Sequence, residues 1–218
     1  MSSNASPDIV TNGLVLCLDA ADKKSYPGAG TAWLDRSSNN NNGTLINGPT
    51  FNGSNGGGIV FNGSNHYVNN PLVKTANCTF SCWARTTSLG SPMLFNAGPD
   101  GGGPDLWFSG GYILWNTWDS YANPFINGIP ASVTNGNFHQ YVVVNDSTSN
   151  AKLYYDGNLL GTALYKNASA NTNLTIGGTI GGYMWNGSIS NFLVYNRILT
   201  PEEIKQNFNA TKSRFNLI

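Results

Sequence analysis

Charge is what this chain has least of. Only 10% of its 218 residues are charged, and 11 basic residues balance 11 acidic ones. A phosphate backbone or an anionic lipid surface is held by a concentrated positive field, so this composition speaks against nucleic acid and against a membrane surface. Long apolar runs are missing as well. No stretch approaches the roughly 20 apolar residues of a membrane span, so no membrane insertion is expected. The opening MSSNASPDIVTNG has neither the basic nor the apolar part of a secretory signal. Cysteine is scarce and odd in number: Cys17, Cys78 and Cys82. Their spacing fits no zinc site. Cys78 and Cys82 fall on one side of a single strand, where four residues separate α-carbons by roughly 13 Å, too far for a disulfide. All three read as small buried hydrophobes.

The groups that perform hydrolysis are equally thin. Glycoside cleavage needs two carboxyl groups flanking one bond. The glutamates are Glu202 and Glu203, adjacent and at the start of a helix, and no D-x-E or E-x-D pair occurs. Their plain role is helix capping and favourable interaction with the helix dipole. A β-elimination lyase needs a base and a cation for the uronate carboxylate. His139 beside Tyr141 offers a base, yet none of the four arginines is near it in sequence, and a hydrogen-bonded strand residue explains it as well. No serine or cysteine elbow is present. No catalytic residue is assigned, and the chain is read as a non-enzyme.

What the sequence does have is asparagine, 32 residues, and glycine, 26 residues. Both tolerate positive φ and suit many tight turns. Between the turns lie short β-branched and aromatic runs: GLVLCLDA, GGIVFNGSNHYV, CTFSCWAR, FHQYVVVN, KLYYDGNLLG, LTIGG and SISNFLVYN. Asp156-Gly157 marks a type I′ hairpin. Asp22 to Pro49 is a long connection containing Trp33, which, like Trp83, reads as core. At the end, Thr200, Pro201 and Glu203 form a capping box with proline at the first turn. This predicts one helix of about two turns near Pro201–Asn209. With no internal repeat or linker, the division expected is an N-terminal segment (1–12), one β domain (13–209) and a tail (210–218). The tail's Phe215, Leu217 and Ile218 are expected to pack on the domain or on a neighbouring copy, the latter giving a homo-oligomer.

The order of these passages, closing on WNGSISNFLVYNRILTPEEI, resembles the laminin G-like jelly roll of the concanavalin A-like lectin/glucanase superfamily. The resemblance covers Gly13 to Phe208. It implies an all-β, two-sheet antiparallel sandwich with a concave face, often used to bind glycans, sometimes with calcium, and sometimes used for protein contact or as a spacer. Two departures stand out. Relatives often show F-D-G-x-x-D-Y-V where this chain has Asn62 and His66, and I-D-E where it has Ile189, Ser190 and Asn191. Losing these carboxylates weakens a calcium site, since a hard dication favours charged oxygens. The closing LTPEEIKQNFNATKSRF is also similar to endings in tailed-phage virion proteins.

The densest functional signal is the segment 105–121. Trp107, Tyr112, Trp115, Trp118 and Tyr121 are interleaved with Asp105, Asn116 and Asp119. Sugars present apolar faces to aromatics and hydroxyls to Asp and Asn, and aromatics with a polar tip suit such half-wet contacts. Trp107 and Trp115 also fit as core residues of two strands. Trp118 and Tyr121, in a turn-like passage, are the residues expected to be exposed. Asp100 and Asp105 flank a glycine-rich loop able to wrap an ion, which makes calcium the cofactor to look for, on two carboxylates alone. The expectation is thus a non-catalytic, lectin-like module on a virion or other extracellular surface. Its partners would be a glycan or cell-surface polysaccharide and other subunits of that assembly. The alternatives are a structural or decoration module that binds protein and, behind it, a polysaccharide-degrading enzyme.

Overall fold

The short apolar runs become strands of two antiparallel sheets. The computed structural model describes residues 8–87, 90, 92–98, 104–117, 120–128, 130–147, 150–164, 173–179 and 182–217, with backbone alone for 116, 117, 120–124, 126, 127 and 164. In chain order come β1 (Leu14–Asp19), β2 (Ala32–Trp33), β3 (Gly43–Ile46), β4 (Thr50–Asn52), β5 (Gly58–Asn62) and β6 (Tyr67–Asn70). They are followed by β7 (Cys78–Arg85), β8 (Met93–Asn96), β9 (Asp105–Ser109), β10 (Tyr112–Thr117) and β11 (Ser120–Asn127). Then β12 (His139–Asn145), β13 (Asn150–Tyr155), β14 (Asn158–Leu164), β15 (Leu174–Ile176) and β16 (Asn186–Tyr195) complete the sheets, before helix α1 (Pro201–Thr211). The first sheet runs β14-β13-β12-β7-β16-β5-β4, with β1 also paired to β16. The second runs β11-β10-β9-β8-β15-β6-β3-β2. This is the jelly-roll sandwich the sequence led one to expect, with one α-helix among the described residues, near the C-terminus.

Burial along the strands shows that the two sheets differ. Strands β7, β12 and β16 are buried over nearly their whole length, so both faces of the first sheet are covered at its centre. Its inner face meets the second sheet through Phe80, Cys82, Tyr141, Val143, Phe192 and Val194. Its outer face is covered in two places. Val142, Val144, Leu193 and Tyr195 lie under Val10, Leu199 and Ile204, and Trp83 and Phe138 lie under Phe208 and Phe215. Trp83 stacks on Phe208 at 5.7 Å and on Phe215 at 4.3 Å, and its indole N–H donates to Thr211 at 2.9 Å. The strands β3 and β6 instead alternate buried and exposed, and β9 buried and half-buried, which leaves one face open there, while β8 and β15 between them are buried throughout. That open face is the outer one of the second sheet.

Polar pins fix the cover. The capping box forms as expected: Glu203 N–H donates to Thr200 Oγ1 at 3.3 Å, and Thr200 N–H to Glu203 Oε2 at 2.9 Å. Arg197 holds the same carboxylate through two nitrogens. The helix extends to Thr211 and is followed by a 3₁₀ turn over Lys212–Phe215. The tail therefore packs on its own domain, where Arg214 grips Asp19 at 2.7 and 2.8 Å. The N-terminal end is tied to the helix as Val10 N–H donates to Asn207 Oδ1 at 2.8 Å. At the β13–β14 hairpin, Asp156 and Gly157 have φ of 49° and 74°, both left-handed as a type I′ turn requires.

The positions where relatives carry acids have structural work here. Asn62 Oδ1 accepts from the backbone N–H groups of Ser64, Asn65 and His66, organising that turn. Ser190 Oγ accepts from Arg214 at 2.6 Å, and Asn191 Oδ1 accepts from Trp83 N–H at 3.1 Å where β16 slips register.

Candidate functional site

The site is assembled on the outer face of the second sheet. Register pairs Thr44 with Asn69, Asn69 with Thr175, Thr175 with Asn96, Asn96 with Asp105 and Asp105 with Asn116. This is one uninterrupted polar row across six strands. Its first members, Thr44 and Asn69, are exposed, while Thr175, Asn96 and Asp105 are buried. The buried part orders the connections that roof it. Asn96 Oδ1 accepts from Gly98 N–H at 2.7 Å, its amide reaches Thr179 Oγ1 at 3.5 Å, and Thr175 donates to the Gly178 carbonyl at 2.8 Å.

One step along the strands the row turns apolar and aromatic. Trp107 is half-buried and lies in register between Leu114 and Met93. Its ring meets that of Tyr183 at 5.1 Å and 60°. Tyr183 is 52% exposed and has φ of 56°. A left-handed conformation costs a side-chain-bearing residue about 1–2 kcal/mol, so the surrounding structure must impose it. Tyr183 C=O accepts from Met93 N–H at 2.8 Å, which fixes the backbone beside Trp107. Tyr112, two residues before Leu114 on β10, is half-buried at the end of the same face. Leu114 and Met93, both buried, flank Trp107 on the neighbouring strands. Such a tilted, half-wet aromatic pair has the chemistry to meet a ligand with an apolar face and a polar edge.

Two expectations change at this point. Trp115 is 0% exposed and packs between Phe95 and Phe125 in the inter-sheet core; alternation along β10 turns it inward while Leu114 turns outward. Asp105 is likewise 0% exposed, so it supports the roofed polar row and does not line a surface. Asp100, its expected partner around an ion, lies outside the described residues, as do Trp118 and Asp119. For Asn116 and Tyr121 the structure gives strand positions only, on β10 and β11. Among the described residues no group of three His, Cys, Asp or Glu side chains is placed to hold a metal ion. Trp107 and Tyr112 are the expected residues that the structure brings to the open face. Tyr183, Met93 and Leu114 were not anticipated.

Groups suited to covalent or proton chemistry lie elsewhere and are poorly disposed for it. Burial pushes the Cys78 thiol up to about 11 and, reinforced by Asp19 and Asp35, that of Cys17 up to about 12. Desolvation also raises the Cys82 thiol and the Tyr141 phenol, leaving none of these as an anion near neutrality. His139 is buried, stacked on Tyr155, with Nδ1 2.7 Å from Asp156 Oδ2 and Nε2 3.3 Å from Asn135 Oδ1. It anchors the β13–β14 turn. Register sets it opposite Ala84, adjacent to Arg85, but strand alternation sends the two side chains to opposite faces of the sheet. Glu202 and Glu203 are on α1, across the sandwich from the open face.

Comparison with known proteins agrees with this architecture. A laminin G-type family model, described as concanavalin A-like lectin/glucanases superfamily, matches residues 61–205. A search of curated protein sequences gives no match. Among solved structures, domain 4 of AbnA, a GH43 extracellular arabinanase from Geobacillus stearothermophilus solved with arabinotriose, superposes with a TM-score of 0.69 at 17% identity over 91% of this chain and 99% of that one. The binding domain of Paraclostridial Mosquitocidal Protein 1 gives 0.71 at 16% identity, over 91% of this chain and 52% of that one. Trypanosoma rangeli sialidase with the inhibitor DANA gives 0.68 at 19% identity, over 97% of this chain and 36% of that one. This chain thus spans about half of the toxin domain and about a third of the sialidase, and at these identities the likeness is one of fold. With the family model matching most of its length, the chain belongs to the concanavalin A-like lectin/glucanase superfamily, as a laminin G-like jelly roll.

Proposed function

We propose that the chain is a non-catalytic carbohydrate-binding module that receives an oligosaccharide on the outer face of its second sheet. The observation that carries this reading is the division between the faces: the first sheet is closed by the helix and both chain ends, while the second presents Trp107 and Tyr183 as an accessible aromatic pair. A sugar ring would stack against that pair above Leu114 and Met93, with Tyr112 at one end and the exposed Asn69 and Thr44 at the other. The arabinotriose complex of a whole domain of this fold supports an oligosaccharide as ligand. The scarcity and placement of carboxylates support binding without cleavage. The closing passage of the chain, similar to endings in tailed-phage virion proteins, is what supports a virion or other extracellular surface in this reading.

The test is a glycan array followed by titration of the best ligand. Truncating an aromatic anchor at the centre of a contact costs ~2 kcal/mol or more, so Trp107→Ala and Tyr183→Ala should each weaken binding about thirty-fold. Polymer incubated with the protein should release no new reducing ends or unsaturated products. An array with no glycan bound, alongside capture of a defined virion or surface protein, would favour the protein-binding alternative. Turnover of any polymer would overturn the non-catalytic reading.

A further inference from the structure

Three of the four arginines are matched by a carboxylate: Arg36 by Asp22, Arg197 by Glu203 and Arg214 by Asp19. Arg85 has no carboxylate partner among the described residues. It ends β7, on the outer face of the first sheet, two residues beyond Trp83 and at the edge of the patch covered by the tail. Its Nε donates to Ser188 Oγ at 3.3 Å, and its Cζ lies 5.0 Å from the centre of the Phe138 ring. These contacts fix the guanidinium plane and leave its terminal nitrogens to whatever approaches.

Two clefts converge on this side chain. One, of about 190 Å³, is lined by Asn55, Asn137, Phe138 and Asn216 together with Arg85. The other, of about 250 Å³, is lined by Thr86, Thr87, Asn186 and Ser188 together with Arg85. Gly187 keeps the second cleft and the β7–β16 contact intact, since a Cβ built there would run into the Arg85 carbonyl oxygen. Among the described residues no carboxylate lines either cleft, and none of them compensates the charge of Arg85 there. Amide and hydroxyl side chains surround it, able both to donate and to accept. Drug-sized pockets begin near ~300 Å³, so each cleft suits about one ring.

We propose that the Arg85 clefts bind the carboxylate of an acidic saccharide, a uronate, at a site distinct from the Trp107–Tyr183 face. The guanidinium fork takes a planar carboxylate through two parallel hydrogen bonds. The surrounding asparagines and Thr87 engage ring hydroxyls. The two sites are independent, so either can fail alone.

The experiment titrates the full chain with a galacturonate trisaccharide, with the neutral galactose trisaccharide, and with a galactose 6-sulfate oligomer. The galacturonate probe should bind, weaken as salt is raised, and lose at least ten-fold in affinity in Arg85→Gln, while Trp107→Ala leaves that affinity unchanged. In the wild type, the Arg85 Nε–H and the side-chain amides of Asn137 and Asn216 should shift in NMR spectra on addition of the probe, a readout that requires no variant to fold. Absence of binding, equal binding by Arg85→Gln, or no shift at the Arg85 Nε–H would overturn the proposal. Binding of the sulfated oligomer in place of the galacturonate would overturn the carboxylate assignment.

Discussion

Phe215 supports a sharp quantitative prediction, because the tail packs on its own domain through this ring. Its ring is buried against Trp83 at 4.3 Å and Phe138 at 4.9 Å, and the chain is brought there by Arg214 on Asp19. Phe215→Ala removes a buried ring and opens a gap under α1. Buried phenylalanine truncations cost ~3–5 kcal/mol; a position at the rim of the cluster belongs at the low end, about 3 kcal/mol. For a domain of this length each kcal/mol shifts the melting temperature by about 2–4 °C, so the expected fall is roughly 6–12 °C. The assay is scanning calorimetry of wild type and variant at two protein concentrations twenty-fold apart. Docking within one chain makes the fall independent of concentration. Docking on a second copy would make the wild-type midpoint rise with concentration. A variant melting within about 1 °C of wild type would refute the view that the tail completes the outer layer of the first sheet.

Other expectations can be checked in the same way. Thr200→Ala breaks the capping box and should cost about 1 kcal/mol, visible in urea unfolding as a lower midpoint with unchanged slope. Hydrogen bonds from Arg197 hold the Glu203 carboxyl below its usual range. That contribution is therefore full above the ordinary carboxylate pKa, about 4.3, and is lost as pH falls through the lower folded value. The stability gap between wild type and Arg197→Met, measured by denaturant titration across pH, should close on acidification. Gly187→Ala places a methyl against the Arg85 carbonyl and should destabilise by more than ~2 kcal/mol, seen as a loss of soluble protein or a large drop in melting temperature. Cys78 and Cys82, buried and with raised pKa, should resist iodoacetamide in the native state and react once denaturant is added; rapid native labelling would contradict their placement.

The β13–β14 hairpin and the helix were legible because they rest on local signals, whereas β2 and β3 lie within the stretch Asp22 to Pro49 that reads in sequence as a connection. Asp156-Gly157 dictates its own turn, and Thr200 with Glu203 closes its own cap. The site was legible only in part, for a physical reason. Both sides of β10 are apolar, with Ile113 and Trp115 on one and Tyr112 and Leu114 on the other, so alternation alone does not say which side faces the partner sheet. Trp115 was therefore as plausible a ligand contact as Trp107 until the sandwich was seen. Tyr183 gives no periodic signal, since its position depends on a left-handed backbone and on Met93, 90 residues earlier in the chain. Arg85 and His139 were judged remote by sequence. The β7–β12 register makes them neighbours, and alternation then separates them again. Ser190 and Asn191 were read only as lost metal ligands, because the long-range partners they serve, Arg214 and Trp83, are assigned by the tertiary fold.

The covering of the first sheet also decides how the molecule can be mounted. Residue 8 accepts from Gln206 of α1, and Leu217 packs beside Trp83 and Phe138, so both described ends leave from the same, sealed side. A tether, a fusion partner or a neighbouring subunit joined at either end would hold the jelly roll by its back. The Trp107–Tyr183 face would then point away from the support, and many copies fixed to one surface would present their aromatic pairs in a common direction. If that face binds as proposed, weak single contacts would add through effective concentration, with no bending of a linker required to turn it outward.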